Sequence, residues 1–175
     1  VQHRMSVLVA QELSSVLGSR LTVGQINIGL LNRIIIDDLI LNDQSGKELL
    51  KIGRLSAKFE ILPLFNGKIS IGNVQLFSFN ANLERPTPQA STNFQFILDA
   101  FASKDTVKKK SNLDLRINSL LIRRGRISYD VLSAGKTPGK FNPQHIRLSN
   151  ILANISLKAL QSDSINAAIK RMSVE

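Results

Sequence analysis

The chain has 175 residues, with 23 Lys and Arg against 13 Asp and Glu, no Cys and no Trp, about one domain's worth of polypeptide. Leu, Ile, Val and Phe make up about 35% of it, well above the roughly 20% below which chains stay disordered, so a hydrophobic core is expected. The lack of Cys excludes disulfides, thiolate zinc sites and thiol catalysis, and no run approaches the roughly 18 apolar residues that span a bilayer as a helix.

The chain opens at Val1 rather than Met and is expected to be a piece of something longer. Met5, Leu8, Val9, Leu13, Val16 and Leu17 recur at three- and four-residue spacing up to Gly18. This predicts an amphipathic helix over residues 1–18 that stops on a glycine. Such a helix usually lies against a sheet; a membrane surface is the alternative. From Leu21 the period changes to two, and a short pattern recurs: apolar, any, apolar, two mostly polar or small residues, apolar, any, apolar. It occupies 21–28, 34–41, 50–57, 69–76, 115–122, 146–153 and 167–174. Two intervening residues turn the apolar side chains to the other face unless a bulge absorbs the extra one. Each copy is therefore predicted to be a bulged strand, and repeated bulges would curl the sheet. The alternatives are unrelated strands with ordinary bulges, or strands that stop at the polar pair and restart.

The punctuation fits a meander. Asp43-Gln-Ser-Gly46 reads as a turn, and Leu62 to Gly67 as a compact turn or one helical turn. Arg85 to Ser91, with Pro86 and Pro88, reads as a linker, because no central strand holds two prolines. Thr92 with Gln95 predicts a capping box before an apolar helical stripe of Phe94, Ile97, Leu98 and Phe101. Residues 104–111 and 136–143 read as loops, and Arg124-Gly125 as the break between a strand over 113–123 and its hairpin mate over 126–131. The expected fold is mainly β: a curled, bulge-rich antiparallel meander sheet forming an apolar groove, with an N-terminal amphipathic helix and one short central helix. It is read as one fragment of a longer repetitive β-groove protein, with a helix at 1–18, β sections at 21–85 and 112–175, and a linker and helix at 86–111.

Charge is concentrated. Residues 104–147 carry eleven basic side chains against Asp105, Asp114 and Asp130, which is +8 of the formal +10. A local basic surface attracts nucleic acid, anionic lipid or an acidic partner, or simply solvates an outer sheet face. Lys108, Lys109, Lys110, Arg123, Arg124 and Arg126 are the candidate contacts to anionic headgroups. Nucleic acid is not expected, because one Tyr and no Trp leave little for bases to stack on. Catalytic, metal and cofactor sites are not expected either. His3 and His145 stand far apart outside any motif, Gly135-Lys-Thr lacks the rest of a phosphate loop, and the neighbours Asp37 and Asp38 should point to opposite strand faces.

The stretch Leu21-Thr-Val-Gly-Gln-Ile-Asn-Ile-Gly-Leu-Leu-Asn-Arg-Ile-Ile-Ile-Asp-Asp-Leu-Ile-Leu-Asn-Asp43 resembles the AsmA-like/TamB-like family. The likeness continues through Leu49 to Ala57, Leu62 to Ile71 and Asn93 to Phe101. The resemblance implies a non-enzymatic segment just past the inner-membrane anchor of a Gram-negative envelope protein, lying in the periplasm. It implies a curled β-groove that carries phospholipid to the outer membrane, with phospholipid acyl chains and outer-membrane assembly proteins as partners. The family has no catalytic residues to carry over. The anchor and the long continuation of such proteins are absent from this sequence.

Strand alternation gives the candidate groove side chains. They are Leu55, Ala57 and Phe59; Ile69, Ile71, Val74 and Leu76; Leu113, Leu115, Ile117, Leu120 and Ile122; and Ile127 and Tyr129 on the expected hairpin mate. An acyl chain of about 16 carbons costs on the order of 12 kcal/mol to bring into water, so a carrier needs a continuous apolar surface. The same face, covered by the two helices, would equally be a closed core. An envelope scaffold that recruits nascent strands by strand addition is the alternative function.

Overall fold

The structure, a computed structural model, describes residues 2–30, 32–60, 69–102, 113–114, 119–160 and 165–174. Helix α1 (Gln2–Leu17) leads into strands β1 (Leu21–Gly29), β2 (Arg33–Asn42), β3 (Glu48–Glu60) and β4 (Ile69–Arg85). Helix α2 (Gln95–Ala102) and the two-residue β5 (Leu113–Asp114) precede β6 (Ser119–Val131), β7 (His145–Leu160) and β8 (Ile165–Ser173). They form one open sheet in the order β1-β2-β3-β4-β6-β7-β8, with β5 beside β4. The fold is mainly β with two helices, as the patterning predicts. The expected turn at Leu62–Gly67, the 104–111 loop with Lys108, Lys109 and Lys110, and Leu115 and Ile117 lie outside the described residues. For Phe59, Ile69, Ile71 and Leu113 the description stops at the backbone.

Helix α1 stops at Gly18, whose φ of 64° is easy only for a residue without Cβ. The Ser14 hydroxyl in its last turn accepts the Leu21 N–H at 2.9 Å, which ties the helix to the start of β1. Ala10, Leu13 and Leu17 pack against the sheet core.

The repeated polar pair has a more ordered meaning than isolated bulges. In β1 and β2, Val23 pairs with Leu39 and Gln25 with Asp37, and Gly24 and Asp38 lie between these pairs without any slip of register. The same level continues outward. Gly53 of β3 lies between Ile52 and Arg54, which pair with Phe79 and Phe77 of β4, so it stands beside Ser78. Phe77 in turn pairs with Arg123 of β6, which brings Arg124 alongside Ser78. On β7 the line ends at Asn150. Asp38, Ser78, Arg124 and Asn150 all have positive φ, between 48° and 56°. From β1 to β6 the crossing residues thus share one level, on β7 the left-handed residue is staggered by one pair, with a register shift on either side of the Gly125–Ile151 pair, and the line forms a crease across these strands. Glycines face the crease because there is no room for more. A Cβ on Gly24 would lie 3.0 Å from the Asp38 Cβ, one on Gly53 would lie 3.1 Å from the Ser78 Cβ, and one on Gly125 would lie 2.9 Å from the Ile122 Cγ2.

Two copies of the pattern are displaced from this line. The Gly72-Asn73 pair of β4 marks a separate bulge, seen as the register shift at Lys58/Phe59, and the crease crosses β4 five residues later at Phe77-Ser78. On β6 it falls at Arg123-Arg124 rather than at Asn118-Ser119. Arg124-Gly125 is therefore not a hairpin turn: residues 119–131 form one continuous strand. Left-handed backbone at Arg124 satisfies the crease without reversing the chain.

The sheet also departs from a pure meander, because β4 and β6 are parallel. Pro86 and Pro88 end β4. The chain then crosses the core face, where α2 inserts the buried Phe96, and β5 pairs parallel with the first residues of β4. The predicted capping box does not form; α2 starts at Gln95, and the Thr92 Oγ1 is buried with no hydrogen-bond partner among the described residues. Asn93 takes a different role. Its side chain donates to the Asn82 carbonyl and accepts the Glu84 N–H, and its own N–H donates to the Glu84 carbonyl. One residue thus stands in for a strand along β4, beyond the last β3 pair at Leu50–Ala81.

Substitutions in the crease are expected to have opposite signs. Gly125→Ala should cost about 1–3 kcal/mol through overpacking. Ser78→Gly should be neutral or stabilise by about 1 kcal/mol, because it relieves left-handed backbone. Gly53→Ala should be tolerated far better in the Ser78→Gly background. Urea denaturation of the four variants measures this coupling, and additive effects would contradict the close approach.

Candidate functional site: the apolar face and the crease

The crease keeps one apolar face on one side of the whole sheet. Ile36 and Leu39 of β2, which flank Asp37-Asp38, both enter the core, as do Ile52 of β3 and Ile122 and Ile151 beyond the parallel junction. Of the candidate groove residues, Ala57, Val74, Leu76 and Ile122 are between 4% and 8% exposed, and Leu55, Leu120 and Ile127 pack partly buried against the same cluster. Tyr129 is partly buried, with the Arg85 guanidinium 5.7 Å above its ring. The centre of this face is core.

Cover ends at the last strand. Register places Ile169 opposite Ile155 and Met172 opposite Ala153, on the core face, yet they are 60% and 49% exposed, and Val174 follows in the same alternation. At the far end of the face, a cleft of about 700 Å³ opens between α1 and α2, lined by Leu17, Phe96 and Leu132 together with Asp43, Glu84 and Asp99.

The basic candidates do not join the apolar ones. Arg123, Arg124 and Arg126 are exposed on the opposite face of the sheet, so they cannot hold the headgroup of a lipid lying on the core face. The Arg124 guanidinium sits 5.2 Å from the ring centroid of Phe77, an outward aromatic. At the crease two successive residues face outward on each strand, which corrects the expectation that Asp37 and Asp38 diverge. Asp37 is held by Arg54 of β3 in a two-point pair at 2.6 and 3.2 Å, and Asp38 is exposed.

Two polar clusters escaped the sequence reading. Asp43, the one buried charged residue in the described core, accepts the N–H groups of Ser45 and Lys47 and the Ser45 hydroxyl. Burial raises its carboxyl pKa, but these bonds and one from Asn93 outweigh it and hold the group below its usual value. At the β6–β7 end, Asp130 pairs in register with His145 and binds its Nδ1 at 2.7 Å, while Arg147 grips both carboxylate oxygens. Burial again raises Asp130, and His145 and Arg147 together pull it below 3.8. An Asp–His pair is part of a nucleophile-activating triad, but the far nitrogen of this ring meets the Ala134 carbonyl at 3.0 Å, which has no proton to give. The pair closes the turn between the two strands. Only Asp130, the one acid among the bases of residues 130–147, hinted at it, because the pairing depends on a register that the mid-strand crease shifts.

Comparison of the sequence with family models and with curated proteins returns no match.

Both lowered carboxyls stabilise the fold above their unfolded value of 3.8, and that contribution is lost as pH falls below it through the lower folded values. Asp130→Asn should cost about 2 kcal/mol at pH 7 and flatten the loss below about pH 4. Urea midpoints measured from pH 7 to pH 3 check this; parallel curves for wild type and variant would refute it.

Proposed function

We propose that this chain is a lipid-handling β segment of a Gram-negative envelope protein of the AsmA-like/TamB-like kind, non-enzymatic, periplasmic and tethered to the inner membrane through sequence outside this chain. Acyl chains are the cargo of its apolar face. One observation carries the reading. The face stays apolar from β1 to β8, and at β8 it runs out of cover, leaving Ile169, Met172 and Val174 in water. An uncovered aliphatic stripe continuous with a core is a costly surface to leave wet, and it is the surface an acyl chain would follow. The cargo contact therefore belongs at β8. Ile122 and its neighbours supply the rigid floor behind it.

A second reading rests on the same strand. Among the described residues β8 pairs only with β7, so its outer edge offers unpaired backbone groups to a strand from another protein, as an assembly scaffold would. Side chains separate the two readings, because cargo touches the core-facing positions and a recruited strand touches the edge regardless of face.

Photo-crosslinkers at Ile169 or Met172 should capture lipid from membranes, whereas one at the outward Arg171 or the buried Ile122 should capture none. Met172→Asp should leave the fold intact and abolish the adduct from position 169. Ile122→Asp should cost several kcal/mol, about 3 or more, and unfold the chain. Protein adducts from both faces of β8 with no lipid would reject cargo binding in favour of the scaffold.

A further inference from the structure

The outward doublet at the crease builds a second surface. On a regular strand Arg123 and Arg124 would point to opposite faces; here both stand outside, with Arg126 two residues on. The register adds neighbours from β3 and β4. Lys51 lines up with Asn80 and Arg126, Arg54 with Phe77 and Arg123, and Lys58 lies further along the row of β3. At a strand spacing of about 4.8 Å, Lys51 and Arg126 are about 10 Å apart across the sheet. Lys51, Lys58, Arg123, Arg124 and Arg126 are all exposed, and none is in an ion pair among the described residues. Of the carboxylates nearby, Asp37 is engaged by Arg54, Glu84 by Lys47 and Asp130 by Arg147, and Asp38 stands exposed on β2 at the margin of the patch.

We infer that the outer face of β3, β4 and β6 seats this protein on an anionic lipid bilayer. Charge complementarity names the partner's sign, and the anatomy of the patch names its kind. Among the described residues Phe77, 42% exposed, is the one large apolar side chain exposed on this face of the three strands, with Arg124 against its ring and Arg54 and Arg123 as its register partners. A protein partner would need a packed apolar centre, and Phe77 alone does not make one. A single-stranded nucleic acid would need several stacking rings, and Phe77 is alone. A fluid layer of anionic headgroups needs neither: it asks for cations that come within a Debye length, about 8 Å, of its surface, and tolerates one shallow aromatic. The inference is independent of the cargo reading, because it uses the opposite face.

The test uses sedimentation with vesicles of phosphatidylcholine containing about one-third phosphatidylglycerol, a composition chosen to give a strongly anionic surface. The protein should sediment with these and not with pure phosphatidylcholine, and high salt should release it. The variant Lys51→Gln/Arg123→Gln/Arg126→Gln avoids the left-handed Arg124, so its circular dichroism should match wild type. Its partitioning should fall roughly a hundredfold, about fivefold per residue removed. Phe77→Trp adds the only Trp of the chain, and its emission should shift to the blue on binding. Unchanged partitioning of the triple variant, equal binding to neutral vesicles, or an unshifted Trp in the bound state would each overturn the inference. Tighter binding to a DNA oligonucleotide than to anionic vesicles at the same salt would overturn it in favour of nucleic acid.

Discussion

The whole sheet depends on a steric rule: a left-handed residue on one strand needs space on the next. Asp38 and Ser78 take that conformation, and Gly24 and Gly53 beside them give up their side chains to admit it. A single bulge would bend one strand and slip its register. Placing the crossing residues at the same level on neighbouring strands bends the sheet along a line and leaves the pairing of β1, β2 and β3 unslipped where the line crosses them. The apolar face survives the bend, and on β2, β4, β6 and β7 the outer face gains two adjacent side chains where a flat sheet has one.

That second consequence sorts the charges. The outward doublet is acidic on β2, at Asp37-Asp38, and basic on β6, at Arg123-Arg124, so potential changes sign across the outer face over a few strands. The ion pair between Asp37 and Arg54 sits between these extremes and neutralises the cation nearest the acidic side. Farther along, the Asp130–His145–Arg147 cluster binds β6 to β7 close to the turn, where the strands have left the crease and no glycine is required.

The sequence declared the apolar alternation, the level of the crease on β1, β2, β3 and β7, the α1 stop at Gly18, and the apolar stripe of α2. These are local signals, each contained within about ten residues. It misplaced the crease on β4 and β6 because Phe77-Ser78 and Arg123-Arg124 lack the small-polar look of Gly24-Gln25; a Phe at an outward position reads as core. It also read Arg124-Gly125 as a turn, since positive φ and a following glycine are what a hairpin uses. The parallel pairing of β4 with β6 was invisible, because it depends on where the chain goes between Pro86 and Leu113 rather than on any residue within the strands. The separation of Arg123 and Arg126 from the apolar face follows from alternation, whereas that of Arg124 needs the crease, and the cover over that face follows from neither. Whether Ile122 or Met172 meets water depends on which neighbours stand above it, and no period reports that.

The junction between β4 and β6 divides the sheet into a meander of β1 to β4 and a smaller one of β6 to β8, each made of contacts between strands adjacent in sequence. Pairing Asn73 with Ser119 instead closes a long loop, whose entropy is lost before any hydrogen bond across the junction forms. The two meanders are thus natural cooperative units, and the seam between them is the slow, late step in their assembly. Until it closes, β4 and β6 each present a long bare edge, which makes the seam the point at which a folding chain of this kind is most exposed to pairing with another copy of itself.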